Sequence, residues 1–307
     1  MKRLITAIIV NWNGKEDTLN CLASLRKVRV PAGCSFLPVV VDNGSSDDSV
    51  SVIRKKYPET LIVETGENLG FTGGNNRGIE TAIQKGAFYI WLINNDTIVD
   101  ANVLSAISVL DNPDIGAVGS KIYFAPDHEY HHDRYVKNER GKVFWYAGGC
   151  IDWANMYASH RGVDEVDHGQ YNNITDTDFI TGCSFFVRAD TLGTVGRLDD
   201  TFYLYYEDLD LSMRIKKSGF RIVYDPSSIV WHVNAGSSGK PGNPLQRYYQ
   251  TRNRMIVGMR YAPFRTKVAL VREALSLAVR SGVERKAILD WAFHRWNKQY
   301  VPKNKNN

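Results

Sequence analysis

Residues 87–97 have the sequence AFYIWLINNDT, in which an unbroken apolar run stops abruptly at two amides and a carboxylate. A continuous apolar run of this length is typical of a strand that is covered on both faces, as the strands of parallel sheets are. Asn94, Asn95 and Asp96 would then lie at the carboxyl end of a buried strand. Open α/β sheets bind their ligands at that end. We therefore expect this stretch to define both the fold and one wall of the functional site.

The sequences on either side alternate between strand and helix. Stretches with apolar residues at helical spacing separate the β-rich runs. The runs cover residues 4–11, 37–42, 61–64, 87–93 and 115–124. Strands separated by helices predict βαβ units, and therefore an α/β fold whose sheet is mostly parallel. The pattern fails over 125–175, a polar stretch that we interpret as an excursion beside the site, and it resumes from 178 to about 232.

From residue 244 onward the sequence predicts helices, and this segment differs in charge from the rest. Residues 247–307 contain 14 Lys and Arg against 3 Asp and Glu, whereas the whole chain has 38 and 33. The first 246 residues therefore hold 24 basic and 30 acidic side chains. An apolar stripe accompanies the basic residues, formed by Val268, Val271, Leu275, Ala278 and Val279. Such helices suit an anionic membrane surface, but a packing element or a homodimer contact explains them as well.

Cysteine usage and hydropathy favour a cytoplasmic protein. The four cysteines are scattered without a CxxC pair, which argues against a zinc site and a disulfide framework. The apolar run after residues 1–3 is short and has no cleavage site behind it, so we interpret it as a first strand rather than a signal peptide. No segment approaches the ~18 apolar residues that a membrane-spanning helix needs. We expect no nucleic-acid partner.

Polar side chains follow the first two predicted strands. Asn11 and Asn13 come after the first strand, and Asp42 ends the second, before a turn through Ser45 and a helix with N-cap-type residues. Asp42 is placed to accept hydrogen bonds from a nucleobase or a ribose. The alternative is that Asp42 and Ser45 only organise the turn.

A glycine-rich cluster follows the third predicted strand. It contains Asn68, Gly70 and Asn75 within the sequence NLGFTGGNNRG of residues 68–78. Glycines allow a ligand to approach the backbone closely, and free N–H groups at the start of the following helix suit a diphosphate. The cluster is neither a GxGxxG fingerprint nor a Walker motif. Taken alone, it is weak evidence for a diphosphate site.

Asp96 is a candidate metal ligand. Hard divalent cations prefer oxygen ligands and often keep donor phosphates in their shell, so one protein carboxylate is enough. The alternative interpretation is an Asx turn that caps the helix beginning near Asp100. His232 ends a later strand, where a lone histidine is either structural or a second ligand. We interpret His128, His131 and His132, which lie in the polar excursion, as surface residues.

Three carboxylates, Glu207, Asp208 and Asp210, crowd the start of a predicted helix that stops at Gly219. The helix dipole stabilises acidic residues there, and Asp210 also has Arg214 at the i+4 position. Glu207 and Asp208 follow an aromatic run, and a carboxylate against an aromatic wall can have a raised pKa and act as a base. These two residues are therefore candidates for acid–base chemistry.

The clusters, taken in this order, resemble those of the family 2 glycosyltransferases with the GT-A fold, particularly their bacterial rhamnosyltransferase-like branch. The likeness runs from about residue 4 to 300. It implies a Rossmann-like, mostly parallel sheet flanked by helices, with a C-terminal helical appendage. On this basis we predict a catalytic domain at 1–243, with a nucleotide-binding half at 1–124 and an acceptor half at 125–243. A basic helical segment at 244–307 follows.

The resemblance also implies roles for single residues on the donor side. Asp42, helped by the backbone near Asn11 and Asn13, would hold a uracil or thymine base. Asn94-Asn95-Asp96 occupies the DxD position of the family, which makes Asp96 the expected ligand of Mg²⁺ or Mn²⁺. Asn94 stands where many members have Asp, and this departure leaves the identity of the metal open.

On the acceptor side, Glu207-Asp208 matches the ED motif, so the resemblance implies that Asp208 is the general base. His232 falls where some relatives supply a second metal ligand. Arg252, within the sequence YYQTRN of residues 248–253, is the expected partner of the donor phosphates, because its fork matches phosphate oxygens. Gly182 would leave room for the incoming sugar in a strand that borders the acceptor pocket.

The expected activity is an inverting transfer of a sugar to an acceptor hydroxyl. The resemblance favours L-rhamnose from dTDP-rhamnose, or otherwise a hexose from a UDP donor. The acceptor would be a glycan or a lipid-linked glycan in bacterial cell-envelope polysaccharide biosynthesis, reached in the cytoplasm or at the inner face of the cell membrane.

Two other classes remain open. A sugar-nucleotide nucleotidyltransferase would carry a triphosphate loop rich in glycine and basic residues after the first strand, whereas residues 13–17 are poor in both. A non-catalytic carbohydrate-binding protein of the same fold would not need Asp96, Asp208 and His232 together.

Overall fold

A computed structural model describes residues 2–233, 242–296 and 299–300 of the 307-residue chain. The strands in these residues are β1 Arg3–Asn11, β2 Cys34–Asp42, β3 Leu61–Glu64, β4 Ala87–Asn94, β5 Thr97–Val99, β6 Ile115–Phe124, β7 Phe144–Tyr146, β8 Gly149–Asp152, β9 Tyr157–His160, β10 Thr175–Asp176, β11 Ser184–Arg188 and β12 Arg221–His232. The α-helices are α1 Lys15–Leu25, α2 Ser49–Lys56, α3 Gly70–Gln84, α4 Ala106–Leu110, α5 Ala189–Val195, α6 Glu207–Lys217, α7 Pro244–Tyr261, α8 Phe264–Ala278 and α9 Val283–Ala292.

One large mixed sheet organises the chain. Its strand order is β10-β12-β6-β11-β4-β1-β2-β3, with β5 beside β12 and β7 beside β6. Strands β1 to β4 are parallel where they pair, and so are β6 and β12. Strand β11 runs antiparallel to both of its neighbours, β4 and β6. The predicted α/β fold with a mostly parallel sheet is therefore confirmed.

Strand β4 is buried on both faces, as its unbroken apolar sequence predicts. Trp91 lies in one hydrophobic core with Leu22 of α1, and Ile90 lies in a second core with Ile79 of α3. The indole N–H of Trp91 donates to the hydroxyl of Ser184 over 3.0 Å, so its polar atom is satisfied inside the protein. Two helical layers thus cover the sheet and leave its strand ends open.

The excursion at 125–175 contains short strands that the sequence did not reveal. Strands β8 and β9 form a hairpin that pairs Gly149 with His160, and β7 and β10 join the large sheet. Strands this short give too few alternating positions to show a period of two. The hairpin places Ile151 and Met156 in a core shared with α7 and α8, so tertiary packing holds it in place.

Helices α7 to α9 pack against the body of the protein. Met255, Leu270 and Ile288 share one core with Leu209 of α6. The segment predicted to be helical from residue 244 is helical at Pro244–Tyr261, Phe264–Ala278 and Val283–Ala292. Residues 297–298 and 301–307 lie outside the described residues, and the domain boundaries remain predictions. None of the helices in the described ranges combines the length and apolar character needed to cross a membrane.

Candidate active site

The ends of three neighbouring strands meet at one edge of the sheet. Asn11 at the end of β1 pairs in register with Asp42 at the end of β2, and Val10 pairs with Asn94 at the end of β4. This edge is where an open α/β sheet binds its ligands. The polar clusters that follow these strands in the sequence therefore lie side by side in the fold.

Asn11 and Asp42 form a buried hydrogen-bonded pair. The Asn11 amide donates to Asp42 over 2.9 Å and to the Ser45 hydroxyl over 3.1 Å, while its own carbonyl oxygen accepts from Thr18 over 2.7 Å. The backbone N–H of Ser45 donates to the second oxygen of Asp42 over 3.1 Å. Asn13 belongs to the same turn, since its N–H donates to the Ser45 hydroxyl over 3.0 Å. Asp42 does organise the turn, and its oxygens keep further lone pairs for a ligand.

The glycine-rich cluster bonds mainly to the protein itself. Asn68 accepts from the N–H of Gly70 over 2.9 Å, and the N–H of Thr72 donates to the carbonyl of Tyr203 over 3.1 Å. Gly70 has a φ of +74°, and a Cβ there would lie 2.6 Å from Tyr203. The Asn75 amide donates to the Phe71 carbonyl of its own helix over 2.9 Å. The N–H groups of Gly70 and Thr72 are thus bonded within the protein, and the diphosphate contacts of Asn68, Gly70 and Asn75 stay a prediction.

Asp96 and His232 come together from distant parts of the chain. Both are buried, and Asp96 Oδ1 lies 3.2 Å from His232 Nε2. Strand β5 makes this approach possible, because it pairs Thr97 directly with His232. The ring of Trp145 packs against the imidazole at 4.6 Å, and His232 Nδ1 is buried with no hydrogen-bond partner among the described residues. The sequence prediction that these two side chains share a site agrees with this geometry.

The pair fits a divalent cation. Neighbouring ligands of an octahedral ion at 2.0–2.1 Å stand about 3 Å apart, close to the 3.2 Å between Asp96 Oδ1 and His232 Nε2. A carboxylate with an imidazole suits Mn²⁺ better than Mg²⁺, which prefers oxygen. The described ranges contain no group of three or more His, Cys, Asp or Glu side chains that could enclose a metal. Phosphate oxygens and water would therefore have to complete the shell.

Asn95 connects this pair to the donor-side cluster. Its amide donates to the Thr18 hydroxyl over 3.2 Å, and that hydroxyl in turn donates to Asn11. A chain of side-chain hydrogen bonds thus runs from Asp42 through Asn11 and Thr18 to Asn95. Asn94 follows the same edge, and its backbone N–H donates to the carbonyl of Cys183 over 3.1 Å. The sequence did not point to Thr18, because a hydroxyl inside a helix carries no motif.

Asp208 reaches the same edge from the other side. Its Oδ2 accepts from the N–H of Gly182 and its Oδ1 from the N–H of Leu209, both over 2.8 Å. Gly182 is followed by Cys183, which holds Asn94. Burial raises the pKa of the buried Cys183 thiol, and the charges of Asp96 and Asp208 raise it further. The thiol therefore lies within electrostatic reach of both carboxylates.

The two adjacent carboxylates differ in accessibility. Burial raises the pKa of Asp208, although its backbone N–H partners oppose the shift, and the side chain remains partly exposed. Glu207 is 4% exposed. Burial and the charge of Asp208 raise the pKa of Glu207 well above its usual range. Asp208 can therefore meet a substrate, whereas Glu207 lies behind it as a buried group.

Three tyrosines directly before these carboxylates adopt a left-handed backbone. Tyr203, Tyr205 and Tyr206 have φ values of +66°, +68° and +72°. Such a conformation costs on the order of 1 kcal/mol or more for each bulky residue, and it persists only where the surroundings impose it. Strain of this kind is concentrated at functional sites. It sets the direction in which α6 begins, and hence the position of Asp208.

The side chain of Arg252 bonds to the loop of residues 201–206, which contains these tyrosines. The side chain is fully buried, and it donates to the carbonyls of Thr201 and Phe202, each over 2.8 Å, and to that of Trp296 over 3.0 Å. The expected phosphate contact of Arg252 is replaced here by a structural role, because backbone carbonyls occupy its donors.

Asn253 completes the support of the loop, and the sequence did not point to it. Its amide donates to the carbonyls of Phe202, Leu204 and Tyr205 over 3.1, 2.8 and 2.7 Å. The feature of the sequence that could have pointed to Asn253 is an Arg–Asn pair inside a predicted amphipathic helix. Asp210 is also structural, as expected, with Arg214 and Arg260 bonded to its carboxylate over 2.8 and 2.9 Å.

Two further predictions from the sequence can be compared with the structure. A Cβ on Gly182 would lie 3.0 Å from the ring of Phe71, so this ring packs closely against the glycine, and the room for an incoming sugar stays a prediction. His128, His131 and His132 are exposed, which agrees with their interpretation as surface residues.

The chain is similar to known proteins over most of its length. A family model described as "Glycosyltransferase like family 2" matches residues 2–258. An N-acetylglucosaminyl-diphospho-decaprenol L-rhamnosyltransferase of Mycobacterium tuberculosis is 28% identical over 231 residues, covering 69% of this chain and 72% of that protein. The dTDP-rhamnosyl transferase RfbF of Shigella flexneri is 21% identical over 267 residues, covering 84% and 80%.

Solved structures share the fold. A mannosyltransferase from Pyrobaculum calidifontis in complex with GDP-Man and Mn²⁺ aligns with a TM-score of 0.56 and 17% identity, covering 98% of this chain and 77% of that one. GalNAc-T7 with UDP, GalNAc and Mn²⁺ aligns with a TM-score of 0.61 and 14% identity, covering 96% and 57%. The large mostly parallel sheet is therefore that of the GT-A glycosyltransferases.

Proposed function

Because this chain belongs to glycosyltransferase family 2, we propose that it moves a hexose from a nucleoside-diphosphate sugar to an acceptor hydroxyl by a single inverting displacement. One observation carries the proposal. The Asp96–His232 pair and Asp208 lie at one edge of the sheet, joined through Asn94, Cys183 and Gly182. In this proposal, Asp96 and His232 would bind the leaving diphosphate through a cation, and Asp208 would act as the base for the nucleophile at the same edge of the sheet.

The donor is dTDP-rhamnose in the first instance, with a UDP-hexose as the second candidate. The support is the pair of rhamnosyltransferase relatives from M. tuberculosis and S. flexneri, which are similar at low identity. Asp42 would accept from the thymine or uracil ring, and Asn11 holds its carboxylate in a fixed orientation. The buried position of this pair excludes water from the contact, which strengthens each hydrogen bond.

Asp96 and His232 would hold Mn²⁺ or Mg²⁺, and such a cation would neutralise the charge of the departing diphosphate. The 3.2 Å between Asp96 Oδ1 and His232 Nε2 supports this assignment. The substitution of Asn94 for an acidic residue leaves the site with less negative charge. We expect weaker cation binding in the absence of nucleotide as a result.

Asp208 would remove the proton of the acceptor hydroxyl as the oxygen attacks the anomeric carbon. Two backbone N–H bonds fix the carboxylate, and its raised pKa makes it a better proton acceptor than an ordinary aspartate. Attack from the face opposite the diphosphate inverts the anomeric configuration. Glu207 would support Asp208 from its buried position, without touching the substrate.

The acceptor would be a glycan or a lipid-linked glycan of envelope polysaccharide synthesis. The name of the M. tuberculosis relative specifies a decaprenol-linked acceptor for that protein. A similar acceptor would place this enzyme in the cytoplasm at the inner face of the membrane, with its basic C-terminal helices in contact with lipid. A homodimer remains a prediction that a sedimentation measurement tests.

A nucleotide-sugar screen tests the proposed function. With MnCl₂ present, dTDP-rhamnose or a UDP-hexose should raise the melting temperature, because a ligand at about 100 times its Kd stabilises the folded state by about 2.7 kcal/mol. Turnover should release the nucleoside diphosphate. Release of pyrophosphate from a nucleoside triphosphate would identify a nucleotidyltransferase instead. A melting temperature indifferent to every nucleotide with either metal would favour the non-catalytic alternative.

A further inference from the structure

Helix α8 turns an apolar stripe toward solvent. The stripe consists of Phe264, Val268, Val271, Leu275 and the following residue Val279, which are 81%, 36%, 40%, 66% and 86% exposed. Their spacing of three and four residues places them on one face of the helix. The opposite face is the one that packs, through Leu270 and Ala274, into the core shared with α7. A face of α8 that carries large apolar side chains is thus uncovered.

Basic side chains border the apolar stripe. Arg265 and Arg272 are exposed on one flank, and Lys267 lies on the other. The carboxylate of Glu273, the acidic residue of α8, points away from the stripe, because it pairs with Arg254 over 2.8 Å on the packed side. The uncovered face therefore combines apolar residues with positive charge and carries no negative charge of its own helix.

We propose that the apolar stripe of α8 rests on an anionic membrane surface, with its side chains at the boundary of headgroups and acyl chains and its flanking cations against lipid phosphates. Amphipathic helices with an apolar face between basic residues bind such surfaces by burying the apolar face and by attracting anionic lipids with their cations. This specifies the membrane contact within the proposed function, and it depends on neither the sugar nor the reaction.

A second copy of the chain fits this face less well. A two-fold interface brings the same patch together from both subunits, so the flanking Arg and Lys of one copy would face those of the other. Like charges across an interface are costly. An anionic lipid surface offers the opposite charge along the whole length of the helix.

The position of α8 connects this surface to the candidate active site. The hydroxyl of Thr266 donates to the carbonyl of Trp153, in the β8–β9 hairpin, over 2.8 Å. The far end of the hairpin carries His160, whose ring packs at 4.3 Å on Trp145, and Trp145 packs at 4.6 Å on His232. One hairpin therefore separates the membrane-facing helix from the residues proposed to hold the cation.

Vesicle flotation tests the proposal with the full chain. Wild-type protein should float with vesicles of phosphatidylcholine and 30% phosphatidylglycerol, and less with phosphatidylcholine alone. The variant Val271→Glu/Leu275→Glu should bind the anionic vesicles at least about tenfold more weakly, because it places two carboxylates in the apolar stripe. The matched variant Ala269→Glu/Ser276→Glu adds the same charge to α8 at exposed positions off the stripe, and it should keep most of the binding.

A variant that removes two cations separates the electrostatic contribution to membrane binding from the apolar one. Arg265→Ser/Arg272→Ser should lower the partition to anionic vesicles by about fivefold for each cation removed and leave binding to phosphatidylcholine unchanged. Melting curves would establish that every variant is folded.

Absence of wild-type binding to anionic vesicles would overturn the proposal, and so would equal loss in the stripe and off-stripe variants. A wild-type dimer that Val271→Glu/Leu275→Glu converts to a monomer, with vesicle binding unchanged, would make the stripe a subunit interface. Flotation needs no turnover, so either result leaves the test of sugar transfer independent.

Discussion

The two sides of the candidate site differ in how fully their polar groups are bonded. On the donor side, Asn11 and Asp42 are locked together with the turn that follows β2. On the acceptor side, Glu207 Oε2 and His232 Nδ1 are buried with no hydrogen-bond partner in the described part of the chain. The pair proposed to bind the nucleobase is thus bonded within the protein itself, whereas Glu207 and His232, beside the proposed base and in the proposed cation site, each have one buried polar atom that no described residue bonds.

Unpartnered buried atoms of this kind lower the free energy of unfolding. A buried polar atom without a partner costs about 1–3 kcal/mol, and strained tyrosines add to the cost. Substitutions on each side of the site test this difference, and we expect those on the acceptor side to change the activity most.

The largest effect is expected from Asp208→Asn. The amide keeps the size of the side chain but cannot accept the proton of the acceptor, so kcat should fall by about 10²–10⁴. Binding of the nucleoside diphosphate, followed by calorimetry, should stay nearly constant. Asp176→Asn, at an exposed carboxylate of β10, serves as the control. Full activity in Asp208→Asn would remove Asp208 from the role of base.

Asp96→Ala should separate metal binding from base recognition. We expect the affinity for nucleoside diphosphate with Mn²⁺ to fall by about 10–100-fold, because the carboxylate partner of the cation is lost. The weaker affinity measured in EDTA should hardly change, since Asn11 and Asp42 are untouched. Asp114→Ala, at an exposed position, provides the comparison. An equal loss with and without metal would contradict the assignment.

Asn253→Leu tests whether the strained tyrosine loop sets the position of Asp208. The leucine fills similar space but leaves three carbonyls without their donor, which should cost about 2 kcal/mol of stability and lower kcat about tenfold. The KM for the donor should be unchanged, and the acidic limb of the kcat–pH profile should shift, because the surroundings of Asp208 change. Gln250→Leu, exposed on the same helix, is the control. A lower melting temperature with an unaltered pH profile would make the role of Asn253 purely structural.

The smallest effect is a gain in stability from Glu207→Gln. The pKa of Glu207 is raised in the folded protein, so the folded state favours its protonated form. Its contribution to stability is complete below the pKa of the unfolded chain and is lost as the pH rises toward the folded pKa. The neutral glutamine avoids this loss, so it should raise the melting temperature near pH 7 by about 2–4 °C and by little near pH 4. Glu67→Gln, at an exposed position, should show no such trend, and a gain that is equal at both pH values would refute the explanation.

The predicted fold followed from local patterns. The runs at 61–64 and 115–124 coincide with β3 and β6, because each strand is long or apolar enough to show its period. The polar ends of β1, β2 and β4 were also visible, since parallel strands bring their carboxyl ends to one edge. Candidate residues at these strand ends could therefore be proposed from short stretches of sequence, and their roles in donor binding stay predictions.

The rest of the site depends on contacts between distant segments. The 3.2 Å approach of Asp96 to His232 requires β5 to pair with β12, and β5 is too short to predict. Arg252 shows the same limit. An arginine in the sequence offers five N–H donors, but only the folded chain shows that the carbonyls of the loop accept hydrogen bonds from them. The uncovered face of α8 likewise depends on which side the β8–β9 hairpin covers.

Strand β11 runs against the direction of both its neighbours. Its first residues therefore arrive where β4 finishes, and the segment leading into it delivers Gly182 to Asp208. A sheet with every strand in the same direction would have put that segment at the opposite rim. Because of this one reversal, the chain between residues 125 and 183 could change without moving the ends of β1 and β2, which are the strands proposed to hold the nucleotide.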